Sequence, residues 1–240
     1  DVVPGEDVAA GEVLVHAGEK LTATHLAVLA GVGQARVKVV RRVRAALLCT
    51  GDELTQPGQP LTFGKIYDSN QMALTARLAE LGVECVQLGE LSDDPQNVAD
   101  ALAHAALEAD IILTTGGVSV GKKDIFHQVL PLMGAERLFW RIAMKPGSPL
   151  LCGLYQDKLM ICLSGNPFAA LCCFEVFAVP TLRRLSGETN IDAKRVKTRL
   201  RGEFPKPSPG RRLIRAVFDG ETVRPASGNH SSGSLSANIG

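Results

Sequence analysis

Apolar and polar positions in the middle of the chain follow the rhythm of a strand and then a helix. The run AALLCTG at 45–51 is apolar until its last residues, and SNQMALTARLAELG at 69–82 carries a helical stripe with Ser69 placed to cap it. The pair recurs in VECVQLGEL and DDPQNVADALAHAALEA, then in DIILTT and DIFHQVLPLMG, and last in KLMICLSGNP and the run after it. This repetition predicts an α/β fold with a mostly parallel sheet and helices on both faces.

The pattern changes on both sides of this region, which divides the chain into three predicted parts. Residues 1–44 have short apolar alternations and one helix that starts at Thr22 or Thr24, and they predict a linking segment. Residues 45–185 form the predicted α/β domain. Residues 186–240 lose the helical period and gain Gly, Pro and Arg, which indicates a C-terminal β-domain that is incomplete. Because the chain lacks an initiator Met and stops in a Ser/Gly-rich run, we expect a fragment of a longer protein.

Composition and charge exclude some classes of function. The 240 residues are 45% apolar and 21% charged, and no run approaches the ~18 apolar residues of a membrane span. Residues 45–182 hold 8 Lys/Arg against 15 Asp/Glu, whereas residues 183–224 hold 12 against 5. The basic part lacks interleaved aromatic residues, so we expect a solvated face and no nucleic-acid groove. The six cysteines form no C-x-x-C pair, which indicates reduced thiols and a cytoplasmic location.

Polar residues concentrate where the predicted strands end. The clusters are TGDEL at 50–54, LSDDP at 91–95, TTGGVSVGKKD at 114–124 and LSGNP at 163–167, and MKPGSP at 144–149 lies between strand-like segments. The carboxyl ends of parallel strands meet at one edge of a sheet, and open α/β sheets bind their ligands there. We therefore expect these clusters to form one site.

The glycine-rich cluster predicts a site for an anion. GGVSVG offers a run of backbone N–H groups and precedes the N-terminus of a helix, and both features favour a bound phosphate. Gly116, Gly121 and Lys122 match most of the nucleoside triphosphate loop, but Lys123 stands where that loop needs Ser or Thr for Mg²⁺. The alternative is a tight turn that requires glycine. Asp124, just after the loop, suits either a helix cap or a role in the site.

The other clusters also have a structural and a functional interpretation. Asp52 and Glu53 either bind Mg²⁺ or cap a turn, and one of the two acids at 93–94 is expected to cap a helix. Lys145 is either a solvated lysine or one that attracts an anion. Asn166 and Pro167 look like the start of a helix. Several acids that face an anion site indicate a bridging metal ion.

Taken together and in this order, six stretches resemble the molybdopterin molybdenumtransferase family, which includes the C-terminal domain of gephyrin. They are TGDEL, GKIYDSN, SDDP, ADIILTTGGVSVGKKD, MKPGSP and SGNPFAALCCFEVFAVPTLRRLSG, and they run from residue 50 to residue 187 without a large gap. The resemblance implies that the protein inserts molybdate into adenylylated molybdopterin, with Mg²⁺ as cofactor and release of AMP. It also implies a homodimer, an adenylyltransferase as a further partner, and residues 1–44 as the remnant of an N-terminal domain.

The resemblance implies roles for single residues as well. Glu53, Asp94 and Asp124 are expected to bind Mg²⁺ and, with Lys145, to take part in catalysis, where Lys145 would attract molybdate or phosphate. The pterin phosphate is expected at Gly116, Gly117, Val118, Ser119 and Gly121. The rest of the expected pterin site comprises Thr50, Gly51, Asp52, Asp68, Ser69, Asn70, Pro146, Gly147, Gly165, Asn166 and Pro167.

The chain departs from the family in three ways. Ser148 stands where many members have a second lysine, and Ser164 replaces a proline. The large N-terminal portion, which in the family completes the active cleft of the partner subunit, is missing, so the fragment is expected to bind ligand without turning it over. Three other functions stay open: a P-loop phosphotransferase, an adenylyltransferase that consumes ATP, and a gephyrin-like interaction scaffold.

Overall fold

A central sheet and the helices that cover it dominate the computed structural model, which describes residues 5–89, 91, 93–118, 124–204, 208, 210–228 and 230–238. The strands are β1 (Arg44–Cys49), β2 (Leu54–Thr55), β3 (Ile66–Tyr67), β4 (Glu84–Gln87), β5 (Ile111–Thr115), β6 (Glu136–Trp140), β7 (Met144–Lys145), β8 (Leu151–Tyr155), β9 (Lys158–Leu163), β10 (Arg199–Leu200), β11 (Arg211–Arg212), β12 (Ala216–Phe218) and β13 (Thr222–Pro225). The helices are α1 (Ala23–Gly31), α2 (Ser69–Glu80), α3 (Pro95–Ala105), α4 (Phe126–Met133), α5 (Pro167–Cys173) and α6 (Val179–Leu185). A π-helical turn at Phe174–Ala178 joins α5 to α6, and a 3-10 turn lies at Ser236–Asn238.

The predicted α/β architecture is confirmed. In the described part of the chain, the central sheet has six strands in the order β4-β1-β5-β9-β8-β6. The first four are parallel, whereas β8 and β6 extend one edge with antiparallel pairings. The register pairs Cys49 with Thr115 and Thr115 with Leu163. Strands β1, β5 and β9 therefore end at the same level, and the loops that follow them start side by side.

Both faces of the sheet are buried, which explains why its strands read as continuous apolar runs. Ala45 and Leu47 of β1 belong to the core on one face, and Ala46 and Leu48 belong to the core on the other. Helices α2, α5 and α6 cover the first face, and α3 and α4 cover the second. The side chains of a strand alternate between faces, so most positions of a doubly covered strand are apolar.

Strands β1 and β5 lie next to each other, but the chain leaves them in opposite directions. After β1 it runs through α2 on one face to β4, and after β5 it enters α4 on the other face. A crevice forms where neighbouring connections diverge in this way, and ligands of open α/β sheets bind at such switch points. The fold thus places the loops after 49 and 115 at the expected binding position.

The starts of the helices agree with the sequence in most details. Thr22 caps α1, and the carboxylate of Asp94 caps α3 by accepting a hydrogen bond from the Asn97 N–H at 2.9 Å. The cap predicted for α2 was wrong by one position, because Asp68 accepts from the Gln71 N–H at 2.9 Å and Ser69 is the first helical residue. A carboxylate competes better than a hydroxyl when both neighbour a helix start, since its bond to N–H is charge-assisted.

The described residues of the C-terminal part form short strands and one 3-10 turn. Strands β10, β13 and β12 form a small sheet, and β11 pairs with β7 next to the central domain. The division of the chain at residues 44 and 185 stays a prediction. No helix among the described residues has both the length and the apolar character needed to cross a membrane.

Candidate active site

The loops after β1, β5 and β9 touch one another through their backbones. The Thr50 N–H donates to the Thr115 carbonyl at 2.9 Å, and the Gly116 N–H donates to the Leu163 carbonyl at 3.1 Å. A Cβ atom on Gly116 would lie 2.2 Å from the carbonyl oxygen of Thr50, and one on Gly165 would lie 3.5 Å from the Cα of Gly116. The structure thus brings these predicted clusters together at the switch point of the sheet.

Two glycines at the start of the glycine-rich loop are required by its geometry. Gly116 has φ = 88° and Gly117 has φ = 62°, in the left-handed region that other residues rarely adopt. A Cβ on Gly117 would also lie 2.9 Å from the side chain of Ile125. The turn interpretation of this loop therefore holds for Gly116 and Gly117, and an anion-binding role is compatible with it.

The next residues of this loop are only partly described. Val118 is buried, and its carbonyl accepts a hydrogen bond from the indole N–H of Trp140 at 3.2 Å. Ser119 and Gly121, two of the residues expected to hold phosphate, lie outside the described residues. Asp124 is described, but Ile125 occupies the cap position of α4, without a side-chain cap bond. The capping interpretation of Asp124 is therefore not supported, which leaves its role in the site as a prediction.

The acids after β1 and β4 approach each other. The Asp52 N–H donates to the carboxylate of Asp93 at 3.3 Å, and the Lys65 amino group donates to the Asp52 carbonyl. Glu53 is exposed, and its carboxylate folds back to within 3.0 Å of the position that a Cβ of Gly51 would take. The loops that follow these two strands are thus in contact through Asp52 and Asp93.

The residues around the start of α2 form one wall of the site. Asp68 is buried in its cap, whereas Ser69 is exposed. The side-chain amide of Asn70 donates to the Gly165 carbonyl at 2.8 Å. Asn70 therefore braces the loop after β9 against α2, and the sequence had predicted only that it shapes the wall.

The loop after β9 starts α5 as predicted, with Asn166 at the cap position and Pro167 as the first residue. The side chain of Asn166 makes no cap bond, whereas its N–H donates to the Ser164 hydroxyl at 3.2 Å. Ser164 thus contributes to the turn through its side chain.

The turn that follows β7 lies against α5. A Cβ on the buried Gly147 would lie 2.2 Å from the sulfur of Cys173, whose thiol donates to the Gly147 carbonyl at 3.4 Å. Pro146 precedes it in a cis peptide, and Lys145 is exposed with no ion pair among the described residues. The hydroxyl of Ser148 donates to the Ile142 carbonyl at 3.0 Å. Ser148 is therefore a structural member of the turn, and Lys145 carries the turn's positive charge.

The C-terminal segment reaches this site, a contact that no sequence pattern predicts. Arg215 is buried; its guanidinium lies 3.7 Å from the ring centroid of Phe168, at the start of α5, and donates to the Ser231 and Ser234 carbonyls. The Phe168 N–H donates to the Ser232 carbonyl at 2.9 Å. A run of small polar residues such as GNHSSGSLS has no periodicity, so its contact with α5 had no signal in the sequence.

The thiols offer no nucleophile. All six cysteines are free. Burial raises the pKa of Cys49 and of Cys162 to about 12, so both stay protonated at neutral pH. The buried Cys173 thiol instead donates to the turn at Gly147.

A magnesium ion fits the donors of this site only if the substrate supplies part of its shell. Within the described ranges, no three His, Cys, Asp or Glu side chains are grouped to hold a metal ion. Mg²⁺ usually takes one or two carboxylates together with substrate phosphate oxygens. The exposed carboxylate of Glu53 and the second oxygen of Asp94 suit that arrangement, since oxygen is the donor that Mg²⁺ prefers.

Comparisons with known proteins agree with this geometry. The sequence model of the family described as "Probable molybdopterin binding domain" matches residues 46–184. The molybdopterin molybdenumtransferase of Haemophilus influenzae is 39% identical over 184 residues, which are 77% of this chain and 45% of that protein. The protein of the same name from Bacillus subtilis is 38% identical over 216 residues, 89% of this chain and 50% of that protein. The resemblance drawn from the sequence is thereby confirmed, and the chain spans about half the length of the curated relatives it matches.

The fold is also similar to that of a solved structure. The crystal structure of the molybdopterin biosynthesis moea protein from Pyrococcus horikosii superposes with a TM-score of 0.81 at 31% sequence identity. The match covers 93% of this chain and 55% of that one. The similarity therefore extends beyond the central sheet to the flanking segments.

Proposed function

This chain belongs to the family of probable molybdopterin-binding domains, and on this premise we propose that it acts in molybdenum cofactor biosynthesis as the pterin-binding part of a molybdopterin molybdenumtransferase. The reaction would insert molybdate into adenylylated molybdopterin and release AMP. The identity to proteins of that name supports the proposal.

The observation that carries the proposal is the meeting of three loops at the switch point of the sheet. The carbonyl of Thr50 approaches Gly116 too closely for a side chain there, and a Cβ on Gly165 would lie in van der Waals contact with the Cα of Gly116, at 3.5 Å. The Gly116 N–H already donates to the Leu163 carbonyl, so we expect a ligand phosphate at the N–H groups of Gly117 and Val118, since backbone N–H groups in such turns favour anions. Glycine-rich loops after a strand bind phosphate in this way in many α/β proteins.

The charged side chains around these loops would bind the metal ion and the anionic groups of the substrates. In this proposal Glu53, Asp94 and Asp124 hold Mg²⁺, which would neutralise charge on the phosphoanhydride that links the pterin to AMP. Lys145, exposed on its rigid turn, would attract the molybdate or phosphate anion. The loop that contains Ser119 and Gly121 would surround the pterin phosphate, and Asn70 and the Asn166 turn would form the wall of the pocket.

The proposal extends to the setting of the reaction. We expect the protein to act as a homodimer in the cytoplasm and to receive adenylylated molybdopterin from an adenylyltransferase. Both expectations come from the family resemblance and concern the whole protein, of which this chain matches about half.

The test is calorimetric titration of this chain with adenylylated molybdopterin and, separately, with Mg-ATP. We expect tight, Mg²⁺-dependent binding of the pterin and negligible binding of ATP. Preferential binding of ATP would overturn the proposal in favour of an adenylyltransferase or a P-loop enzyme. Binding of neither ligand, with retained binding of a protein partner, would favour a scaffold.

A matched pair of variants separates the site from the bulk charge of the domain. Glu53→Gln removes a carboxylate from the site, and Glu136→Gln removes an exposed one from the opposite end of the sheet. We expect Glu53→Gln to weaken Mg²⁺-dependent binding by about tenfold or more, because the ion loses a ligand. Glu136→Gln is expected to leave the affinity unchanged. Equal affinities for the two variants would remove Glu53 from the proposed metal site.

A further inference from the structure

Trp140 connects two parts of the site that are far apart in the sequence. Its indole N–H donates to the carbonyl of Val118, at the start of the glycine-rich loop, with a nitrogen–oxygen distance of 3.2 Å. Trp140 is the last residue of β6, and the turn that carries Lys145 begins four residues later. One side chain thus links the loop after β5 to the strand that leads into the lysine turn.

The backbone between Trp140 and that turn is held firmly. The Arg141 N–H donates to the Leu150 carbonyl at 2.9 Å, and the Ile142 N–H donates to the Ser148 carbonyl at 2.9 Å. These bonds tie both sides of the turn together before β8 begins. Because these bonds hold the segment between them, we expect a displacement of Trp140 to displace Lys145 as well.

The indole also contacts the element on the far side of the glycine-rich loop. His127 of α4 packs edge-on against Trp140, with ring centroids 4.4 Å apart and an interplanar angle of 82°. Val118 precedes residues 119–123, and α4 follows them, so the two flanks of this stretch contact the same ring. The guanidinium of Arg141 lies 5.0 Å from the centroid of the indole and fixes it further.

From these contacts we propose that Trp140 is a positioning residue, which holds the glycine-rich loop and the Lys145 turn at a fixed separation so that both engage one anionic ligand. The inference rests on the proposed function, because the ligand is the phosphate of the pterin substrate. In this proposal the hydrogen bond to the Val118 carbonyl positions the loop. Val118 is buried at the loop's first turn, so its carbonyl has a fixed position.

The decisive comparison is between Trp140→His and Trp140→Phe. The imidazole Nε2 occupies the ring position of the indole Nε1, so histidine keeps the donor to Val118 although it loses apolar area. Phenylalanine keeps more apolar area and loses the donor. If Trp140 only packs, Trp140→Phe will bind ligand better than Trp140→His. If it positions the loop, the order is reversed. Phe139→Leu, on the same strand and half exposed, is the control for loss of apolar area.

Two measurements on the whole chain keep this inference separate from the proposed function. Amide hydrogen exchange without ligand follows the segment 113–118, and we expect it to exchange about fivefold faster in Trp140→Phe than in Trp140→His, because one hydrogen bond is lost. Calorimetry with adenylylated molybdopterin should show affinity about three- to tenfold weaker in Trp140→Phe, with Phe139→Leu unchanged.

The outcomes are distinguishable. The role of Trp140 is overturned if amide exchange in 113–118 is equal in Trp140→Phe and Trp140→His. It is also overturned if the two variants bind adenylylated molybdopterin equally and differ from wild type only in a lowered thermal stability. If wild type binds no pterin, the proposed function fails and the inference that depends on it fails with it, whereas the exchange result still reports whether the bond holds the loop. Trp140 is the chain's one tryptophan, so its emission offers a direct check: ligand binding to wild type should change it, and an unchanged spectrum at saturation would count against contact with the loop.

Discussion

The two ends of the central sheet use charged residues in opposite ways. At the amino-terminal end, the guanidinium of Arg44 pairs with Glu108 at 2.8 Å and with Glu84 at 3.7 Å, and Arg41 pairs with Asp110 at 2.5 Å. At the carboxyl end, Glu53 forms no ion pair within the part of the chain that the structure describes.

This difference supports the proposal that the candidate site lies at the carboxyl end. Where charged side chains pair with one another, no uncompensated charge is left to bind an external ion. At the carboxyl end the backbones of three loops are in close contact around Gly116, and exposed charges of both signs lie beside them. In our proposal, an anion and its counter-ion would complete this surface.

The largest effect should come from filling the contact between two loops. Gly116→Ala would place a Cβ 2.2 Å from the Thr50 carbonyl and would require φ near 88° from a non-glycine residue. We expect a loss of about 3 kcal/mol or more in the free energy of unfolding, and loss of pterin binding. Urea denaturation monitored by circular dichroism measures the first quantity.

Gly82→Ala is the matched control, because Gly82 follows α2 with φ = 72° and a Cβ there would have nothing within 4 Å. It should lose only about 1 kcal/mol, the cost of the backbone conformation. If both variants lost the same amount, the close approach of the loops would carry no energy, and the contrast between the ends of the sheet would disappear.

The sequence predicted the fold well because burial on both faces leaves a strong signal. Runs such as IIL at 111–113 and LMICL at 159–163 are apolar at every position, and glycine and capping residues mark the ends of most elements. Strand β6 was less visible, since ERLFW is largely exposed at the edge and lacks a continuous apolar run. An edge strand is buried on fewer sides, so its pattern is weaker.

The sequence predicted where the loops of the candidate site meet, but it did not predict the side-chain contacts around them. The polar clusters after β1, β4, β5 and β9 meet as expected, because parallel strands in register deliver their ends to one edge. The docking of Arg215 on Phe168 and the bond from Trp140 to Val118 join residues that are distant in sequence. No periodicity or spacing encodes such pairs, so only the structure could supply them.

The next effect concerns the buried cation at the carboxyl end. Arg215→Lys keeps the charge but loses the planar group that stacks on Phe168 and donates to two carbonyls. We expect a loss of about 1–2 kcal/mol in the free energy of unfolding, together with easier proteolysis of the segment after 226. Arg224→Lys, on the exposed face of β13, should stay within about 0.5 kcal/mol of wild type. A stable Arg215→Lys would show that the C-terminal segment does not depend on this contact.

A smaller effect separates structure from chemistry at Asp94. Asp94→Asn keeps a side-chain oxygen for the Asn97 N–H and removes the charge, whereas Asp94→Ala removes both. We expect Asn to preserve stability and Ala to lose about 1 kcal/mol, the usual value of a cap. If Asp94 also binds Mg²⁺, both variants will show weaker Mg²⁺-dependent pterin binding by calorimetry. Wild-type affinity in Asp94→Asn would assign Asp94 to capping alone.

The smallest effect is expected at the amino-terminal end, where charges already satisfy one another. Hydrogen bonding to the Arg41 guanidinium lowers the pKa of Asp110 below its ordinary value. A carboxylate with a lowered pKa in the folded state contributes stability above its unfolded pKa of about 4, and it loses that contribution as the pH falls through the folded value. Asp110→Asn should therefore cost less than about 1 kcal/mol at pH 7, because the pair lies at the surface, and the difference from wild type should shrink below pH ~4. Denaturation curves at pH 7 and at acidic pH measure it. Since Asp110 lies far from the carboxyl-end loops, pterin affinity at pH 7 should not change, and a change would mean that the two ends of the sheet are coupled.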